Sequence, residues 1–181
     1  SIVQVGAATD AAGQAADVVA ALRARIAEVQ RAVADAPRPR VLAIEWLDPP
    51  FAPGHWVPGM IETAGGTNII GKNGSHSVQT TWESLAGSDP DVLIIMPCGY
   101  GLEASRKDAD CAAAQLRSVA PRAIDEGRAF VVDGSAYFNR SGPRFVTGIE
   151  ILAGLLHPGR VGAPPAAAAA SWPPHRVDGN T

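Results

Sequence analysis

Trp46, Asp48, Phe51, His55, Trp56 and Glu62 crowd one Pro- and Gly-rich stretch that runs from Glu45 to Gly66. Indoles offer broad, flat apolar faces at a small entropic cost. An imidazole in such a loop can hold a metal from one side or hydrogen-bond the backbone of its own loop. One His without a second ligand at fixed spacing is a weak metal signal, and His76, His157 and His175 add no recognisable pattern. Trp46 and Phe51 suit packing as readily as ligand contact.

Three further constellations bear on chemistry. The turn Gly99-Tyr100-Gly101, with Ala104, fits the outline of a dinucleotide fingerprint, and Asp133 ends a later strand. Against that reading, the turn follows a late strand, Asp133 lies well beyond the usual spacing of about 20 residues, and no second mononucleotide half follows. Cys98 precedes a helix N-terminus that could lower its pKa, but no His or acid is spaced to argue for a dyad. Tyr137, Phe138, Asn139 and Arg140 follow the last apolar strand. An aromatic pair suits a flat ligand and Arg140 a carboxamide or phosphate group; the alternative is a solvated Arg above a packed Phe138.

These residues need elements to hold them. Val41-Leu42-Ala43-Ile44 reads as a buried strand over about 40–46. Pro49, Pro50 and Pro53 lack backbone N–H groups and are expected to stop regular pairing. Pro58 suits the first turn of a short helix that Gly65-Gly66 closes. The aromatic stretch therefore sits at a strand's C-terminal end, where open α/β sheets bind ligands. Upstream, residues 1–9 read as a remnant of another element. Asp10 is expected to cap a long helix to about residue 36, with Val19, Leu22, Ile26, Val29 and Val33 as its apolar stripe.

Downstream, Thr67–Ile70 reads as a short extended segment and Thr80–Leu85 as one short helix. Asp91–Met96 is a strand apolar on both faces. A helix over about 102–119 should bury Leu102, Ala109, Ala113 and Leu116. Ala129–Val132 is the next strand, and Ser141 and Pro143 open a core helix. Beyond about Val161 the Ala- and Pro-rich composition predicts a mostly loose tail. The alternation implies a single α/β lobe of about four mainly parallel strands flanked by helices, preceded by a long linker helix. Its parts are 1–36, linker region and helix; 37–160, the lobe; and 161–181, the tail.

Composition excludes some classes. A net charge of −3 and the lack of a basic stripe argue against a nucleic-acid partner. No apolar run is long enough to span a bilayer, and no signal peptide stands at Ser1. Cys98 and Cys111 admit one disulfide at most. Their places, a strand end and a helix, favour two free thiols.

The run from Glu45 to Gly71 resembles the C-terminal lobe of cobalamin-type substrate-binding proteins of ABC importers, a group that also includes iron–siderophore and haem binders. The runs Asp89–Gly99 and Asp133–Arg140 carry the same resemblance, which covers roughly residues 1–158. It implies an extracytoplasmic protein, periplasmic or lipid-anchored, that captures a corrinoid such as cobalamin or a related iron chelate. It implies delivery to ABC permease subunits, with no catalytic cofactor and no chemistry on the ligand. Trp56 matches the family's cleft Trp, and Glu62 matches a Glu that meets permease arginines. Trp46, Phe51, His55, Tyr100, Tyr137, Asn139 and Arg140 complete the candidate ligand-binding set. Members have two lobes joined by one long helix, so an N-terminal lobe is expected to be missing here. The isolated lobe is then expected to expose apolar surface and self-associate as a homodimer. An NAD(P)-binding oxidoreductase domain and a bare interaction module remain as alternatives.

Overall fold

The computed structural model describes residues 1–174; His175 and the rest of the tail lie outside the described residues. In chain order the elements are α1 (Ile2–Ala8), α2 (Ala12–Ala32), β1 (Arg40–Ile44), β2 (Trp46–Leu47), β3 (Pro50–Ala52), α3 (Val57–Thr63), β4 (Thr67–Asn68) and β5 (Val78–Gln79). They continue with α4 (Trp82–Leu85), β6 (Val92–Ile95), α5 (Leu102–Cys111), α6 (Ala113–Val119), α7 (Pro121–Asp125), β7 (Ala129–Val132), α8 (Gly134–Tyr137), α9 (Arg144–Leu156) and β8 (Ala169–Ser171).

The main sheet has the order β4-β1-β6-β7-β8. β4, β1, β6 and β7 are parallel, and β8 runs antiparallel to β7. Side chains alternate across a strand, and here both faces are apolar. Val41, Ala43, Val92, Ile94 and Val132 face one layer with Met60, Ile61, Phe138, Ile149, Leu152 and Leu156 from α3, α9 and the segment between α8 and α9. Leu42, Ile44, Leu93, Ile95, Ala129 and Val131 face the other, with Leu85, Ala109, Leu116, Val119 and Ile124 from α4 to α7. This is a three-layer α/β lobe.

Several expectations are corrected. The helix expected over 10–36 is two helices. Asp10 does not cap α2: it sits in the turn between them at φ 52°, and the N-cap position is Ala11, without a side-chain cap bond. α1 folds back along α2 so closely that a Cβ on Gly6 would lie 2.3 Å from that of Ala15. The prolines do not stop pairing. β3 begins at Pro50 and pairs antiparallel with β2 and β5 in a small second sheet, because Pro50 donates nothing there and its carbonyl accepts from Thr80 N–H at 2.8 Å.

The helix over 102–119 breaks at Ala112, which is buried while Ala113 is exposed. The tail is not loose where it is described. Ala169–Ser171 adds a fifth strand, and Trp172 beside it is 4% exposed, with its indole N–H donating to Asp110 Oδ1 at 2.8 Å. Alanine content says nothing about edge pairing, so the composition concealed this strand. Among the described residues no helix is long and apolar enough to cross a membrane.

His157, at the end of α9, is buried and faces the carbonyl of Gly65 at 3.3 Å. Burial, with help from the Arg160 and Arg128 charges, pushes its pKa below the usual imidazole value against the pull of that carbonyl. The ring thereby ties the end of α9 to the turn after α3.

Trp172→Ala should lower the unfolding free energy by about 3–5 kcal/mol, the usual range for emptying a large aromatic site. Urea unfolding followed by circular dichroism measures it. An unchanged midpoint would mean that β8 is not part of the cooperative fold.

Candidate ligand-binding edge

The parallel strands deliver their C-terminal ends to one edge, and three loops are stitched together there. Met96 N–H donates to Ile44 O at 3.0 Å and Cys98 N–H to Glu45 O at 2.9 Å, which joins the loops after β1 and β6. Ser135 N–H donates to Tyr100 O at 3.0 Å, and Gly99 N–H to Asn139 Oδ1 at 3.0 Å, which joins the loops after β6 and β7. Gly99 has φ 80°, a conformation that favours glycine, so the turn into α5 can be this tight.

On this platform the rings of Trp46 and Tyr100 meet edge to face, with centres 5.3 Å apart. The Trp46 indole N–H donates to Asp48 O at 2.9 Å, which fixes its ring, and Phe51 is its partner across β2 and β3. All three are half-buried. They present stiff apolar surface at the sheet's edge, the kind that covers a flat ligand at little entropic cost. Glu45 lies beneath, its carboxylate accepting from the Ser77 hydroxyl at 2.5 Å. The pairing of Glu45 with Ser77 did not stand out in the sequence, because the carboxylate sits at the bend between β1 and β2 and the hydroxyl in the loop before β5, far apart along the chain.

Asn139 commits its Oδ1 to Gly99. Its Nδ2 is buried without a hydrogen-bond partner among the described residues, so it is a spare donor on the same edge. Phe138 is 1% exposed and packs underneath, Tyr137 is half-buried against the same core, and Arg140 is exposed.

Trp56 takes another surface. Its indole N–H donates to Phe138 O at 2.7 Å, and its ring lines an apolar groove of about 970 Å³ between α1, α2 and the start of α9. Val18, Val19, Leu22, Ile26 and Phe145 line it too. Glu62, on the far side of α3, is exposed and ion-pairs with Arg38. Its other oxygen accepts from Asn68 N–H at 2.9 Å. His55 is exposed at φ 53°, and its ring lies beside those of Trp56 and His76. The second imidazole is a neighbour that sequence spacing did not suggest.

Two chemical readings lose their residues. Partial burial, then the charge of Glu45, push the Cys98 thiol pKa up. That is opposite to the activation a helix N-terminus would give, and it argues against a nucleophile. Cys98 and Cys111 are free thiols. Asp133 caps α8, its Oδ1 accepting from Ala136 N–H at 2.8 Å, so the acid of the dinucleotide outline already has a structural task.

Comparison with known proteins agrees with this geometry. A family model described as "Periplasmic binding protein" matches residues 1–124, a span that includes the Gly99-Tyr100-Gly101 turn. No protein of curated function matches the sequence. Among solved structures, the fold is similar to an ABC transporter substrate-binding protein from Listeria monocytogenes EGD-e, with TM-score 0.74 and 17% identity over 86% of this chain. It is similar to a periplasmic heme binding protein from Pseudomonas aeruginosa, with TM-score 0.73 and 19% identity over 94%. It is also similar to an ABC-type Fe3+-hydroxamate transport system protein from Saccharomonospora viridis DSM 43017, with TM-score 0.68 and 23% identity over 86%. This chain spans 62%, 62% and 53% of those three chains. With the family model covering well over half the sequence and the sheet edge built as described, the chain belongs to the periplasmic binding protein family.

Proposed function

We propose that this chain is a ligand-binding lobe of the substrate-binding component of an ABC importer, working outside the cytoplasmic membrane on a large metal chelate. The observation that carries the reading is the aromatic edge. Trp46, Phe51 and Tyr100 stand on a backbone-bonded platform at the C-terminal ends of parallel strands, where α/β sheets take ligands. Family membership supports the transport role, and the names of two structural relatives, a heme binder and a Fe3+-hydroxamate transport protein, support the ligand class.

Within that class the resemblance of the Glu45–Gly71 run to cobalamin-type binders puts a corrinoid, cobalamin, forward, with haem or a siderophore as the alternative. Trp46, Phe51, Tyr100, Tyr137, Asn139, Arg140 and His55 would line one side of the cleft, with Trp56 at its margin. A second lobe would supply the other side. Binding and release suffice for such a role, with no bond made or broken in the ligand.

Titration with cyanocobalamin, hemin, ferrichrome and NAD, followed by absorbance and calorimetry, should give binding to a metal chelate and none to NAD. Trp46→Ala should weaken that binding at least ten-fold while leaving thermal stability nearly unchanged. Binding of NAD alone would overturn the transport reading.

Glu62 is the proposed contact to the permease. Its carboxylate is exposed and already holds Arg38, so a permease arginine would share or displace an existing cation, a weak and reversible arrangement suited to repeated docking. Glu62→Ala should leave ligand affinity within two-fold and reduce transport in cells carrying the permease. A large loss of ligand affinity would move Glu62 into the cleft.

The apolar groove beside α2 is the surface through which we expect the isolated chain to form a two-fold dimer. Val5 and Val18 on its walls are 62% and 43% exposed, and contiguous apolar surface of this kind is normally covered. Sedimentation equilibrium should give a dimer for the wild type and a monomer for Val18→Glu. A wild-type monomer at all concentrations would refute this.

A further inference from the structure

The imidazoles of His55 and His76 lie side by side on the rim of the edge, with ring centres 5.3 Å apart and planes at 86°. Both residues are exposed. The main chain, not the rings, sets their proximity. His55 N–H donates to Ser75 O, and Gly74 N–H donates to His55 O, each at 2.6 Å. A Cβ on Gly54 would stand 2.4 Å from the His76 carbonyl carbon, and one on Gly71 would stand 1.9 Å from Pro53 O. Only glycines at 54 and 71 let the two loops touch backbone to backbone. His55 itself holds φ 53°, a region most side chains avoid. The fold thus fixes two imidazole-bearing positions next to each other and leaves both rings free to turn about their own torsions.

That separation has a chemical meaning. A cation bonded to one nitrogen of each ring at about 2.0–2.1 Å, at a near-tetrahedral angle, sets the ring centres roughly 5 Å apart. Turning the exposed rings brings one nitrogen of each toward the shared position. Among the described residues no third His, Cys, Asp or Glu completes a closed ligand set, so such a site keeps open positions for water or for a donor atom of a bound molecule. Imidazole nitrogen suits copper, nickel and zinc, whereas calcium and magnesium want oxygen.

We propose that His55 and His76 form an open two-imidazole site for a borderline divalent cation of the copper, nickel and zinc class, bridging loops 53–56 and 72–77. The inference stands apart from the identity of the transported ligand. Its direct consequence is that the cation staples the two loops and stabilises the folded chain by mass action.

The test uses the full chain stripped of metal and titrated with zinc chloride or nickel chloride. The wild type should bind one ion per chain, and its melting temperature should rise with added zinc. His55→Asn keeps a residue that tolerates the left-handed backbone, and His76→Gln changes an exposed side chain. Each should weaken binding at least ten-fold, and the double variant should lose the zinc-dependent shift. With cupric ion, the nitrogen hyperfine pattern in electron paramagnetic resonance should fall from two nitrogens to one in each single variant. Melting without metal checks that the variants fold; should His55→Asn unfold, His76→Gln alone carries the comparison. Equal affinity in wild type and variants, or no binding by the wild type, would overturn the proposal.

Discussion

The rest of this structure depends on a parallel sheet that is dry on both faces. Val41 to Ile44 and Val92 to Ile95 are all fully buried, so neither strand has a face to give to water. Each therefore requires helices on both sides, and each crossover must carry the chain back to start the next strand in the same direction. The consequence is positional. The loops after β1, β6 and β7 emerge at one edge and at similar height, which is how residues near 46, 100 and 139 meet. Nothing in their own chemistry draws them together; the apolar strands beneath do.

This division explains what the sequence disclosed. The strands at 41–44, 92–95 and 129–132 were legible because unbroken apolar runs of that length have few alternatives. Pro58 and Pro143 marked helix starts because proline is harmless only where the N–H is unneeded. β8 was hidden, because its pairing to β7 uses main-chain groups that every residue carries. The break at Ala112 was hidden for a similar reason. Alanine satisfies both a continuous helix and its interruption, so the helical period alone placed Ala113 inward when Ala112 takes that place. Asp10 had the chemistry of a cap but sits in a turn set by the packing of Gly6 on Ala15, a contact that no local pattern encodes.

The candidate edge was legible in part. Its aromatic members stood out because Trp46 and Phe51 flank prolines and Tyr100 sits between two glycines, each just after an apolar strand that gave the location. Their grouping was not legible. Trp46 faces Tyr100, whereas Trp56 turns to the groove beside α2, although the two belong to one Pro- and Gly-rich stretch of sequence. The pairing of His76 with His55 was not legible because their closeness depends on two glycines whose role is to have no side chain. A contact made by absence leaves no periodic signal, only a glycine among others.

The same division bears on how such a fold carries different ligands. The platform is held by backbone hydrogen bonds, by glycines at close approaches and by apolar alternation. These demands are met by many sequences, which accords with TM-scores near 0.7 at identities of 17% and 19%. The side chains that stand on the platform carry few of those structural demands. Tyr100 and Arg140 can change without disturbing a strand, whereas Gly54, Gly71 and Gly99 cannot change without moving a loop. Ligand identity is therefore the property of this lobe that its architecture constrains least, and the identity of the rim residues constrains it most. A planar chelate, a siderophore or a bridged cation would each be read by a handful of exposed groups on an unchanged frame.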